Sequence, residues 1–212
     1  EKTVQGARKM AAWALSAFRE RSTFVMLTLY KSLVRSKLEY CCPVWSPSKI
    51  GDITKLENVQ RSFTKKIHGC KELSYWERLK KLKILSLQRR RERYCMVHVW
   101  KILNGLAPND LEFEFSNHTR LGIKASIPSI NRKAQLSVRS DYDKTFRVHA
   151  AQLFNLLPPE LRSTSTLESF KSGLGRVLEQ YPDTPPVTGT SGINDNSLLS
   201  WNKGRTHTMQ LS

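Results

Sequence analysis

Between Ile53 and Ile67 the side chains of Ile53, Leu56, Val59, Phe63 and Ile67 recur every three or four positions, a repeat that an α-helix gathers on one face. The same period runs from Val4 to about Phe18 and from Thr23 to Leu38. In the latter, Leu27, Tyr30, Val34 and Leu38 form a stripe opposite Thr28, Lys31, Ser32 and Arg35. Amphipathic helices must bury these faces on one another, which constrains the first half of the chain to a helical block. Pro43 and Pro47 interrupt the pattern around Trp45, Asp52 suits an N-cap, and Gly69 suits a helix end.

Beyond a connector holding Tyr75 and Trp76, the basic run from Arg78 to Lys83 leads to Ser86. That serine suits the cap of a helix reaching Asn104-Gly105. Its first half, Gln88 to Arg93, is charged, while Tyr94 to Leu103 is apolar almost all round, the pattern of a helix that starts in solvent and ends in a core. Residues 111–143 alternate weakly, at Leu111 to Phe115 and Leu136 to Val138, and read as short strands or extended loops. Two further helices are expected, from about Lys144 to Leu156 and from near Ser165 or Thr166 to before Pro182. Gly173-Leu-Gly175 reads as helix punctuation rather than a phosphate loop. The expected class is mainly α, with a basic helical block at 1–110, a small mixed α/β extension at 111–181, and a flexible Pro, Thr, Ser, Gly and Asn-rich tail at 182–212.

Charge narrows the partners. The 212 residues carry 35 Lys+Arg against 18 Asp+Glu, a formal net charge of +17. Residues 1–110 hold 23 of the cations and 9 of the anions. Basic character confined to one half points to a surface that meets a polyanion. Cys41, Cys42, Cys70 and Cys95 form neither a CxxC pair nor a disulfide framework, which favours a reducing, intracellular setting, nuclear or cytoplasmic. Residues 10–18 follow Arg8-Lys9 like the core of a secretory signal. The apolar pattern continues as an amphipathic helix past Arg21, however, so a secreted product is not expected, and no stretch is long enough to span a membrane.

Leu29-Tyr-Lys-Ser-Leu-Val-Arg-Ser-Lys-Leu-Glu-Tyr40, Pro43-Val-Trp-Ser-Pro47 and Ile53-Thr-Lys-Leu-Glu-Asn-Val-Gln-Arg61 resemble the segment that follows the palm in non-LTR, LINE-type reverse transcriptases of the jockey and related groups. The likeness continues through Tyr75-Trp-Glu-Arg-Leu79, the basic helix from Leu87 to Arg93 and Trp100-Lys-Ile-Leu-Asn-Gly105. It is fainter at Phe154-Asn-Leu-Leu-Pro158, Leu161-Arg162 and Phe170-Lys171. The resemblance implies a helical thumb, which grips template and primer, and its C-terminal extension. In that family an Asp-Asp pair in the palm holds the magnesium ions of polymerisation. No Asp-Asp occurs here, so the resemblance implies a part of an RNA-directed DNA polymerase that is inactive alone, needs no cofactor of its own and packs against the palm.

Candidate phosphate contacts cluster between Arg61 and Arg93. They are Arg61, Lys65, Lys66, Lys71, Arg78, Lys80, Lys81, Lys83, Arg89, Arg90, Arg91 and Arg93, interspersed with only Glu72, Glu77 and Glu92. Such cations release condensed counterions and hold an RNA–DNA or DNA duplex without reading its bases. The bland alternative is a solvated helix face. Arg35 and Lys37 are weaker candidates. Trp76, beside the run, is a candidate for base or sugar stacking, whereas Trp45 and Trp100 read as core. His68 with Cys70, and Cys95 with His98, carry the atoms of a zinc site at an uncharacteristic spacing, and buried thiols are the simpler reading. Asp141 and Asp143 suit a turn or cap better than a metal. No nucleophile and base pair stands out, which argues against an independent nuclease. The rival function is a protein-binding or structural helical module derived from a degraded retroelement, with incidental charge.

Overall fold

The computed structural model describes residues 2–127, 145–185 and 196–201. The chain is mainly helical and divides into two compact units, Glu1–Arg91 with Asp183–Asn196, and Glu92–Pro182 with Ser197–Ser212. The division between the units falls inside a helix, between Arg91 and Glu92.

In the first unit, α1 (Lys2–Ala17) buries Val4, Ala7, Ala11 and Ala14, small residues at helical spacing that let a second helix approach closely. α2 (Thr23–Leu29), a π-helical stretch (Tyr30–Val34) and α3 (Arg35–Glu39) form one continuous rod. Its buried stripe is Met26, Tyr30, Val34 and Leu38, so Met26 takes the place expected of Leu27. A strict four-residue repeat drifts around a helix of 3.6 residues per turn, and the wider π turn absorbs that drift and keeps all four side chains facing inward. A short α4 (Cys42–Trp45) follows the left-handed Cys41.

α5 (Ile50–Thr64) starts from Lys49, not Asp52. The aspartate sits in the first turn, 2.9 Å from Lys55. Leu56, Val59 and Phe63 join the α1 and α2 stripes and Ile67, Cys70, Leu82 and Leu87 in a single core, where the Tyr30 and Phe63 rings lie 5.3 Å apart, and Ile53 is also buried. The stretch around Tyr75 and Trp76, expected as a connector, is a helix, α6 (Tyr75–Leu82). Its signal is present in the sequence. Ser74 and Glu77 form a reciprocal capping box, with Ser74 Oγ accepting from the Glu77 N–H and the Glu77 carboxylate accepting from the Ser74 N–H. α7 (Leu87–Leu103) begins at Ser86 as expected, the serine Oγ accepting from the Arg89 N–H at 3.1 Å.

In the second unit the apolar part of α7 buries Cys95, Met96, Val99 and Trp100, and the Trp100 ring stacks on Phe170 at 5.2 Å. Among the described residues, extended structure is confined to an antiparallel hairpin, β1 (Phe115–His118) and β2 (Gly122–Ala125). The strand expected at 136–138, and Asp141 with Asp143, lie outside the described residues. α8 (Phe146–Asn155), α9 (Pro159–Arg162) and α10 (Leu167–Glu179) follow in the same unit. The Asn155 amide both accepts from the Ala125 N–H and donates to its carbonyl, each at 2.9 Å, and so clamps the hairpin to α8. Buried Arg162 donates to the carbonyls of Leu121 and Ile123. Gly173 and Gly175 do not punctuate α10 but lie inside it.

The C-terminal stretch departs most from expectation. Asp183, Asn196, Ser197 and Leu198 are buried, and residues 198–201 form a helical turn. The remainder of 182–212, residues 186–195 and 202–212, lies outside the described residues.

Candidate nucleic-acid interface

The first unit builds its basic surface from the end of α5, the turn that follows and α6. Lys65 and Lys66 leave the C-terminus of α5, where their charge opposes the negative end of the helix dipole. Gly69, at φ +70°, turns the chain toward Lys71. α6 then presents Lys80 and Lys81, and Lys83 caps it in the left-handed conformation. All six lysines are exposed. Lys81 Nζ donates to the Gly69 carbonyl at 2.7 Å, which ties α6 to the turn. Among the described residues none of the six makes an ion pair, and the nearby Glu77 carboxylate is occupied by the Ser74 cap, which also lowers its pKa. Lys80 Nζ stands 4.6 Å from the centroid of the partly buried Trp76 ring, so that face is already covered by a cation.

The arginines of the same run are placed differently. Arg61 is half-buried, its guanidinium 4.6 Å from the Tyr75 ring centroid. Arg78, expected to meet phosphate, is buried. It donates to the carbonyls of Leu73 and Arg61 and to Thr64 Oγ1, satisfying the end of α5 from within. Arg89 is fully buried and donates to the backbone carbonyl and side chain of Asn196 at 3.2 and 3.4 Å. Arg90 forms a two-pronged pair with Glu39. Arg91 is 4% exposed, and its charge acts on the buried Glu57 carboxylate. Arg93, half-buried in the second unit, donates to the Lys171 carbonyl at 3.3 Å.

The expected set therefore separates by residue type. The lysines stay in water, whereas Arg78, Arg89 and Arg91 are structural and the expectation of phosphate contact fails for them. The cause is chemical. A guanidinium is weakly hydrated and offers five donors in a plane, so it can satisfy several carbonyls inside a protein, while an ammonium is strongly hydrated and remains outside.

The same interior holds a polar chain that the periodicity does not reveal. Tyr30 donates to Gln60, which donates to Tyr75 at 2.8 Å, which donates to Glu57 at 2.7 Å. Glu57 also accepts from the Gln88 N–H at 2.8 Å, placing a carboxylate at the positive end of α7. Burial pushes the Glu57 pKa up against the opposing pull of Arg91 and of its donors, and burial likewise raises Tyr30 and Tyr75. The signal in the sequence is the polar pair Glu57 and Gln60 flanking the apolar stripe.

Among the described residues no group of three or more His, Cys, Asp or Glu side chains gathers as a metal site. Cys42, Cys70 and Cys95 are buried, Cys41 is exposed, and none of the four is in a disulfide. Among the described residues no helix is long and apolar enough to cross a membrane. No protein family, curated protein or solved structure matches the chain.

Proposed function

We propose that this chain is a duplex-gripping element, the thumb and post-thumb part of a LINE-type RNA-directed DNA polymerase, that binds RNA–DNA or DNA through phosphates and performs no chemistry alone. The observation that carries the reading is the set of six exposed lysines, none in an ion pair among the described residues, on a platform that Arg78 braces through the carbonyls of Leu73 and Arg61. Like charges gathered on one surface repel one another, a cost that a phosphate backbone relieves. The resemblance of residues 29–105 to the segment after the palm supports the same reading, and the palm is the partner it implies. Catalytic magnesium belongs to that palm.

A salt titration tests it. The chain and a Lys65→Glu, Lys66→Glu, Lys71→Glu variant are bound to two RNA–DNA hybrids of unrelated sequence. Wild type should bind both equally, and the variant's plot of log affinity against log salt should flatten by about one unit for each phosphate that goes unneutralised. Equal slopes for the two proteins would overturn the reading in favour of a protein-binding module. Primer extension by the purified chain with magnesium or manganese is expected to be absent, and reproducible extension would contradict the non-catalytic assignment.

A further inference from the structure

The corner between α1 and α2 exposes three aromatic rings. Trp13 is 54% exposed, Phe18 39% and Phe24 81%, with Trp13 and Phe18 edge to face at 6.3 Å. The residues buried in α1 and α2 are Val4, Ala7, Ala11, Ala14 and Met26, so none of these rings is among them. The corner itself is rigid. Arg21 donates to the Leu15 carbonyl at 2.6 Å and to the Phe18 carbonyl, and its guanidinium lies 3.9 Å from Met26 Sδ. The Arg21 carbonyl accepts from the His68 N–H at 2.8 Å. His68 lies just beyond Lys65 and Lys66, so that bond ties the corner to the turn that carries those two lysines. Residues 2–24 add Lys2, Arg8, Lys9, Arg19 and Arg21 against a single Glu20.

Cations alone suit a duplex, whose bases are stacked on one another. Exposed rings among cations suit unpaired bases, which lack a stacking partner and carry the same phosphates. We infer that the Trp13, Phe18 and Phe24 corner is a second nucleic-acid site that stacks the unpaired bases of a single strand continuing from the duplex held at the lysines. A protein partner for the same rings would gain little from the surrounding positive charge. The inference rests on the proposed nucleic-acid function, but it concerns a different part of the ligand.

The experiment compares three probes on the full chain: a blunt RNA–DNA hybrid, the same hybrid with an unpaired overhang, and the overhang strand alone. Wild type should bind the overhang hybrid more tightly than the blunt one. Trp13→Ala with Phe24→Ala should lose that gain, on the order of tenfold for each ring that stacks, while leaving blunt-hybrid affinity and the salt slope unchanged. Trp13→Phe, which keeps an aromatic face, should recover part of it. The double variant is expected to stay folded with at most a small shift in its melting curve, since Phe24 is largely in solvent and Trp13 about half. Equal wild-type affinity for the blunt and overhang hybrids would overturn the inference while leaving duplex gripping intact. Binding of the single strand alone, lost in the double variant, together with no binding of the blunt hybrid, would sustain the inference and overturn duplex gripping. A double variant that changes only the sedimentation of the chain, with overhang affinity intact, would make the corner a self-association surface and overturn the inference.

Discussion

The Asp183 carboxylate accepts hydrogen bonds from both the backbone N–H and the hydroxyl of Ser86, at 2.7 and 2.6 Å, across 97 residues of chain. Ser86 is itself the cap of α7, and Asn196 donates to both Ser86 and Asp183 at 3.2 and 2.6 Å. Asp183→Ala removes the acceptor from a buried N–H and should cost about 2–4 kcal/mol, given that bonds to charged groups contribute ~1.5–3 kcal/mol each. Asp183→Asn keeps one acceptor and should cost less. Denaturant melts of the three proteins decide it, and a chain truncated at residue 182 should melt at lower denaturant than either point variant.

Reversing charge at Arg89 and at Lys65 should produce opposite phenotypes. Arg89→Glu places an unmatched carboxylate in the interior and should cost more than about 3 kcal/mol, with visible loss of helix. Lys65→Glu on the surface should alter stability by no more than about 0.5 kcal/mol and act on binding. Circular dichroism melts separate the two. Intact helix content in Arg89→Glu would contradict the buried assignment.

Glu57 should make the stability of the first unit depend on pH. Its pKa is raised in the folded protein, chiefly by burial, so above the ordinary glutamate value of 4.5 the unfolded chain ionises before the folded one. The unfolded state then binds fewer protons, and stability falls as pH rises from 4.5 toward the elevated folded value. The groups facing it are Arg91, Tyr75, the Gln88 N–H and Asp183. Glu57→Gln should remove this slope in melts taken across the acidic to neutral range. A slope that survives the substitution would assign it to another group.

Two glycines in α10 should respond differently to substitution. A Cβ at Gly173 would lie 2.5 Å from Leu161 Cδ1, whereas at Gly175 nothing lies within 4 Å. Gly175→Ala should stabilise the helix by about 0.5–1 kcal/mol through lost backbone entropy in the unfolded chain. Gly173→Val should destabilise by about 1–3 kcal/mol, because Leu161 is buried and has to move. Thermal melts of the two single variants give the comparison.

The helices are legible wherever apolar spacing is strong. α1, α5, α7, α8 and α10 lie close to where the repeat puts them, since burying a stripe is a local property of the sequence. α6 escapes that reading because it is short and densely charged, and its cap, Ser74 with Glu77, is the stronger signal. The sign of the basic run is legible, but its division into surface and interior is not. Arginine and lysine look alike in a polar pattern, and the partner that draws Arg89 inward stands 107 residues away. For the same reason a polar C-terminal composition conceals Asp183, Asn196 and Leu198, each of which is buried through a partner that spacing cannot indicate.

Because the first unit combines Glu1–Arg91 with Asp183–Asn196, and the second combines Glu92–Pro182 with Ser197–Ser212, neither is complete until the stretch from Asp183 to Leu198 has left the ribosome. At roughly 5–20 residues per second, the interval between the emergence of Ser86 and of Asp183 is on the order of five to twenty seconds. Throughout that time the Ser86 N–H at the head of α7 has no carboxylate to donate to, and Glu92 has no Leu198 N–H to accept from. Asp183 and Leu198, made after the bulk of both units, supply a polar partner to each, so a nascent chain released early would lack the Ser86–Asp183 and Glu92–Leu198 hydrogen bonds.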